Sequence, residues 1–239
     1  METSSKSVEE RLQDALHEIE SLKQELQHFV YAASHDLQEP LRAVTSYAQL
    51  LERRYEQDEQ TRELTAFITD GVARMNALLQ NLVLYSRVSA STTRSQTQLA
   101  AAVQAALFKL SAEIKESAAK IDYADLPTVN AHEVQMGLVF ENIFRNSLLF
   151  KSAEPPHIQI SSQETDDGYQ ISVRDNGIGI EPRYLNQVLQ PFKRLCSKDI
   201  PGNGLGLAIC DKVIKAHHGR LWLESDGTKG VTVNFTLPY

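Results

Sequence analysis

Cysteine is nearly absent: Cys196 and Cys210 are the only two in 239 residues, and they stand in unrelated settings. They offer neither a disulfide framework nor the paired spacing of a zinc site, so the expected compartment is reducing and cytoplasmic. No apolar run approaches the ~20 residues that span a bilayer, and Met1-Glu2-Thr3-Ser4-Ser5 lacks the apolar core of a signal peptide, so no membrane span is expected. Basic clusters are missing as well. The net charge is −7, with acids and bases interspersed, so no surface is expected to neutralise nucleic-acid phosphates. The chain holds no internal repeat. Its length allows one or two domains, each able to bury a real core.

What the sequence does have begins with a long heptad. From Val8 the apolar positions are Leu12, Ala15, Ile19, Leu22, Leu26, Phe29 and Ala33, and their alternating four- and three-residue steps trace the seam of a coiled coil. The seam resumes one residue out of phase as Leu37, Leu41, Val44, Ala48 and Leu51. His35 lies at the phase change, at an outer position in either register, so its imidazole is expected on the surface beside the carboxylate of Asp36. Pro40 lies inside the pattern and is expected to kink the helix. After a polar interruption at 55–61, a second helix carries Leu64, Ile68, Gly71, Met75, Leu78, Leu82 and Tyr85, with Phe67, Val72 and Leu79 widening its apolar face. One hairpin cannot bury both faces, and a four-helix bundle made by a homodimer is the economical solution. Residues 86–98 are Ser/Thr-rich and read as a linker.

Beyond the linker the pattern changes to mixed α and β. Residues 99–119 read as helix, 126–129 as a short strand, and a helix starts near His132. Residues 157–162 and 169–174 alternate like strands about the turn Asp166-Asp167-Gly168. Residues 205–215 read as helix, and 219–224 with 231–237 as a hairpin about Asp226-Gly227. Strand pairs separated by helices, without βαβ regularity, predict an α+β sandwich.

Four motifs in this half share a purpose. Asp175-Asn176-Gly177-Ile178-Gly179-Ile180 follows a strand, where glycines allow close backbone approach and Asp175 can accept a hydrogen bond from an adenine amino group. Gly202-Asn203-Gly204-Leu205-Gly206-Leu207 opens a helix, whose free N–H groups can hold phosphates. Neither run fits the dinucleotide fingerprint, and neither has the Gly-Lys-Ser/Thr ending of a P-loop. Between them lies Pro191-Phe192-Lys193-Arg194-Leu195, followed by a polar lid. Upstream, Asn142 and Asn146 share a helix face, and amide oxygens suit Mg²⁺.

In this order the motifs resemble those of the sensor histidine kinases of two-component signalling, from about Glu10 to the C-terminus. Ser34-His35-Asp36-Leu37-Gln38-Glu39-Pro40-Leu41 resembles the phospho-acceptor box of the phytochrome-like subgroup. Glu141-Asn142-Ile143-Phe144-Arg145-Asn146 is similar to the asparagine box, the Asp175 and Gly202 runs to the two glycine boxes, and Pro191–Leu195 to the phenylalanine box. The nucleotide fold is similar to that of the chaperone, topoisomerase and mismatch-repair ATPases, which lack an acceptor histidine on a coiled coil. The resemblance implies a helical-hairpin domain forming a dimeric four-helix bundle, followed by an α+β sandwich that binds ATP. The segments expected are a coiled-coil signalling helix over 1–28, a dimerisation and phosphotransfer domain over 29–90, a linker over 91–98 and a catalytic domain over 99–239.

The implied reaction moves the γ-phosphoryl of ATP to an imidazole nitrogen of His35, and then to an aspartate of a response regulator. By resemblance, Asp36 accepts a hydrogen bond from the other ring nitrogen, and Asn146 holds Mg²⁺. The ATP contacts implied are Asn142, Asn146, Asp175, Gly177, Gly179, Phe192, Gly202, Gly204, Leu205 and Gly206. Lys193, Arg194 and Lys198 are either phosphate contacts or solvated lid charges. The input comes from an upstream sensor domain or a separate sensor protein.

The chain departs from the family pattern twice. Leu149 stands where the family usually has Lys or Arg facing the nucleotide, and Lys151 replaces it only if the helix has ended by then. Weaker ATP binding or slower transfer follows as an expectation. Glu39 stands where Thr or Asn is linked to dephosphorylating the partner, so phosphatase activity is not expected. A dimeric ATP-binding module of low activity that regulates a partner is the alternative, favoured by Leu149, and His35 argues against an ATPase without phosphotransfer. Cys196 is expected to be inert, His217-His218 to serve packing or surface roles, and Trp222 to lie in the core.

Overall fold

The computed structural model describes residues 8–88, 93–195, 200 and 202–239. The chain divides into two compact units, residues 1–87 and 88–239.

The first unit is a helical hairpin. α1 (Val8–Arg54) has 47 residues, about 70 Å at the usual helical rise. Glu9 and Glu10 sit at its positive end and Arg53 and Arg54 at its negative end, both favourable to the helix dipole. The helix runs on through Pro40. Because Pro40 has no N–H, the carbonyl of Asp36 has no helical donor, one residue after His35. A short turn leads into α2 (Glu59–Arg87), where the Thr61 hydroxyl donates to Asp58 and holds that carboxyl below its ordinary pKa.

The strip buried between the helices is narrow. Ser34 and Ala48 of α1 and Thr65, Val72 and Leu79 of α2 are its buried residues. Small side chains at 34 and 48 let α2 approach on that side. Val72 and Leu79, expected as an accessory stripe, therefore form the inner face, whereas Leu64, Ile68 and Met75 stay exposed. The α1 seam divides in the same way: Leu41 and Ala48 are covered, while Leu37, Val44 and Leu51 are exposed. Thr45 and Thr65 return their hydroxyls to carbonyls of their own helices.

The second unit runs β1 (Ser95–Gln98), α3 (Leu99–Lys109), α4 (Ser111–Ser117), β2 (Lys120–Tyr123), β3 (Thr128–Ala131), α5 (Glu133–Leu149), β4 (His157–Thr165), β5 (Gly168–Arg174), α6 (Gly206–Ala216), β6 (Leu221–Glu224) and β7 (Thr232–Pro238). Five strands form one sheet in the order β2-β4-β5-β7-β6, with β2 parallel to β4 and the other pairs antiparallel. β1 and β3 make a separate antiparallel pair. One face of the sheet (Ile158, Ile160, Ile171, Val173, Val233 and Phe235) is buried, as are the apolar faces of α3, α5 and α6. Phe140 anchors this core, with ring centroids 5.8 Å from Phe144 and 6.0 Å from Phe235. The opposite face carries Gln159, Ser161, Gln170, Ser172, Arg174 and Asn234, as period-two alternation requires.

Three local expectations change, and one strand was not foreseen. Residues 95–98, read as the end of a linker, form β1; its buried side chain is Thr97, whose hydroxyl donates to the Ala131 carbonyl at 3.0 Å. The helix expected over 99–119 breaks at Leu110, which is fully buried and adopts a non-helical ψ of 14°. β2, only four residues long, had no visible alternation and exists because β4 pairs with it. Trp222 lies half-buried outside the core, its indole N–H donating to Glu224, because Leu221 and Leu223 take the inward positions of β6.

Candidate functional site

In the first unit the site is the exposed turn around His35. The side chains of His35 and Asp36 are 63% and 81% exposed, and His35 Nδ1 lies 3.2 Å from Asp36 Oδ1. An ionised carboxylate only accepts hydrogen bonds, so Nδ1 carries the proton and donates it. The lone pair is then on Nε2, the nitrogen facing away from Asp36. This arrangement presents a nucleophile in a defined tautomer.

In the second unit the predicted residues converge at the C-terminal half of α5. His132 caps the helix start by accepting from the Gln135 N–H. The Asn142 amide donates to the Leu138 carbonyl at 2.8 Å, which turns its oxygen outward. That oxygen lies against the first residue of α6: a Cβ on Gly206 would stand 3.0 Å from Asn142 Oδ1. Asn146 follows one turn later and is half-buried. Leu205, buried, precedes α6, and no side chain caps the helix, so its first N–H groups keep their positive end free for an anion.

Asp175 is held by three donors. Its Oδ1 accepts from the backbone N–H groups of Gly177 (2.9 Å) and Val231 (3.0 Å), and its Oδ2 from the Ser147 hydroxyl (3.0 Å). Oδ2 retains an acceptor position for a ligand donor such as an exocyclic amine. Gly177 is required by close approach, because a Cβ there would lie 2.5 Å from the Phe150 carbonyl. That carbonyl accepts from the Ile178 N–H at 3.0 Å, tying the Asp175 loop to the end of α5. Gly179 is braced by the 225–230 turn, where the Ser225 hydroxyl accepts from Ile180 and Asp226 accepts from Thr228 and Lys229. Those backbone donors hold the Asp226 carboxyl below its ordinary pKa.

The remaining predicted residues form a loop above the start of α6. Phe192, at a positive φ of 63°, donates its N–H to the Gly204 carbonyl at 3.0 Å. Gly204 itself has φ +70°, and a Cβ there would lie 2.8 Å from the Lys193 carbonyl. The phenylalanine motif and the second glycine motif are thus joined through backbone. Phe192, Lys193 and Arg194 are exposed, with Arg194 donating to the Ile200 carbonyl, and Gly202 is exposed ahead of them. Lys198 and Cys196 lie outside the described residues.

Leu149 is the last residue of α5, and Phe150 caps the helix. Lys151 therefore lies beyond the helical register, exposed, next to the residue that binds the Asp175 loop. The sequence reading missed Ser147, Phe150, Ser225 and Val231. All four act through contacts that span from 28 to 56 residues, and only Ser147, directly after Asn146, carried a local signal.

The cradle fits a nucleotide by its own geometry. Asp175 offers an oriented carboxylate, the start of α6 carries no side-chain cap, and the Asn142 amide oxygen lies beside that helix start. The chain thus has two parts, a histidine-bearing helical hairpin and an α/β sandwich. Residues 131–239 match the family described as Histidine kinase-, DNA gyrase B-, and HSP90-like ATPase, and residues 25–91 match the His Kinase A (phospho-acceptor) domain. The chain is 40% identical to Cyanobacterial phytochrome A of Nostoc sp. over 96% of its own length and 30% of the relative's. It is 37% identical to Phytochrome-like protein Cph1 of Synechocystis sp. over 96% of its length and 31% of that protein's. Among solved structures, full-length ShkA in complex with AMPPNP shares the fold, with a TM-score of 0.69 at 22% identity over 88% of this chain and 45% of that one. The chain belongs to the sensor histidine kinases, with phytochrome-like members among its relatives, and spans about 30% of the length of those relatives. No helix among the described residues is long and apolar enough to cross a membrane.

Proposed function

We propose that this chain is the kinase portion of a sensor histidine kinase that phosphorylates itself on His35 and passes the group to an aspartate of a response regulator. The observation that carries the reading is the Nδ1–Asp36 contact on the exposed face of α1, in the same chain as the nucleotide cradle. Asp175 accepts from the adenine amino group. The start of α6, with Gly202, Gly204, Leu205 and Gly206, holds the phosphates, and Phe192, Lys193 and Arg194 lie in the adjoining loop, with Lys198 a further candidate phosphate contact. Nε2 attacks the γ-phosphorus, the bond to the bridging oxygen breaks, and ADP leaves with that electron pair. Asp36 holds the Nδ1 proton as positive charge develops on the ring, which stabilises the transferring state. Asn146, with Asn142 beside it, offers the hard oxygen that Mg²⁺ prefers, and the ion would neutralise charge on the phosphate oxygens.

The exposed stripes Leu37–Val44–Leu51 and Leu64–Ile68–Met75 support a homodimer in which two hairpins close a four-helix bundle. The exposed seam from Val8 to Phe29 supports a coiled coil that receives input from an upstream sensor domain or sensor protein. A reaction consuming ATP and a response regulator belongs in the cytoplasm. Glu39, exposed one turn after His35, supports a kinase without regulator phosphatase activity. A second reading, a regulatory module of low activity, is favoured by Leu149 at the end of α5.

The test is incubation with γ-labelled ATP and Mg²⁺, comparing wild type with His35→Gln. Acid-labile, base-stable label on the wild type alone supports the kinase. Nucleotide binding without label supports the second reading.

A further inference from the structure

The hairpin carries a second arrangement close to the acceptor, and the reaction itself does not use it. The last two residues of α2 are gripped by two residues of α1. Gln27 donates its side-chain amide to the Ser86 carbonyl at 2.9 Å. The Arg87 guanidinium lies over the Tyr31 ring, 4.8 Å from its centroid. Ser86 contributes one of the final carbonyls of α2, which have no helical donor, so Gln27 supplies the missing partner. Gln27, Tyr31 and His35 are spaced by four residues and share one face of α1. The grip therefore lies in the two turns before the acceptor, beside the place where the heptad changes phase between Ala33 and Leu37.

The chain passes from Arg87 directly into the segment that leads to the catalytic unit. Whatever holds Ser86 and Arg87 therefore fixes the end of α2 from which that segment continues. We propose that Gln27, Tyr31 and Arg87 are positioning residues that tie the exit of α2 to the acceptor-bearing stretch of α1, and so govern delivery of the phosphoryl group to His35. A rotation or shift of α1 arriving through its N-terminal seam moves Gln27 and Tyr31 and changes that exit. The inference rests on the kinase reading. It concerns residues that touch neither nucleotide nor imidazole.

The test uses the full chain and two readouts: autophosphorylation with kcat and ATP KM separated, and amide hydrogen exchange in the last turn of α2. Tyr31→Leu and Arg87→Gln are each expected to lower kcat about tenfold with KM for ATP held within about twofold, since small misplacements act on the chemical step. Tyr31→Phe keeps the ring and Arg87→Lys keeps a cation, and both should recover most of the rate. Exchange in the last turn of α2 should quicken in Gln27→Leu and Tyr31→Leu. An unchanged kcat, a KM that moves in step with it, or Tyr31→Phe as impaired as Tyr31→Leu would overturn the proposal. If the wild type takes no label, the kinase reading fails by itself. The exchange readout then decides the grip: unchanged exchange overturns it, and quickened exchange supports it.

Discussion

The hairpin buries Ala48, Val72 and Leu79 with two small polar residues, Ser34 and Thr65, whereas the second unit buries Phe140, Phe144 and Phe235 among a dense set of aliphatic side chains. The hairpin also leaves Leu37, Val44, Leu64 and Ile68 in water, while the sheet and helices of the second unit cover their apolar faces. A long helix pair has two sides to hide and one partner to hide them against, which is why a second copy is proposed to complete it. A sheet layered on helices closes on itself. The division suits the chemistry. The proposed acceptor, His35, must be reached and released by other molecules and sits on the open unit, while the proposed nucleotide site needs fixed loops and sits on the closed one.

The contrast can be broken from either side. Phe140→Ala should cost the second unit about 3–5 kcal/mol, because it removes a buried ring and leaves a cavity. In urea unfolding its transition should move to lower denaturant while the hairpin transition stays in place. Ile68→Glu should act on the hairpin alone. It forfeits about 1.5–3 kcal/mol of apolar burial per chain in the dimer. Sedimentation should then give a monomer, and the hairpin melting temperature should lose its dependence on protein concentration.

Acid separates the units more gently. His217, 2% exposed at the end of α6, donates Nδ1–H to the Val213 carbonyl at 2.8 Å, and its Nε2 accepts the His132 N–H at 3.1 Å. Burial lowers its pKa from 6.5, and Arg94, His132 and His218 nearby push the same way. The native unit thus binds fewer protons than the unfolded chain just below pH 6.5. Its stability is fully present above that pH and declines as pH falls below it. The hairpin transition should not follow it. The smallest effect concerns the cradle: Leu149→Lys should tighten ATP several-fold, the scale of one partly exposed charge on a phosphate, about 1 kcal/mol. Equilibrium nucleotide titration reads it, and no change would mean that Lys151 already fills that role.

Local patterns were legible where chemistry is local. The heptad with its phase change, the exposure of His35 and the start of α5 at His132 all follow from spacing within a few residues. Three features did not. Which stripe of α2 forms the inner face of the hairpin was not legible, because the choice depends on small residues at 34 and 48 of the other helix. β1 and β2 are short strands that exist through partners at 128–131 and 157–160. The support of Asp175 by Ser147 and Val231 spans 28 and 56 residues, and no periodicity reports such distances.

The most direct test of the division between an open acceptor and a closed cradle is to locate the phosphoryl group after reaction with ATP and Mg²⁺. Phosphorus NMR of the product, with peptide mapping, should find it on Nε2 of His35, the nitrogen left free by the Asp36 contact. A phosphoryl group on Nδ1, on another residue, or still present in His35→Gln would contradict it.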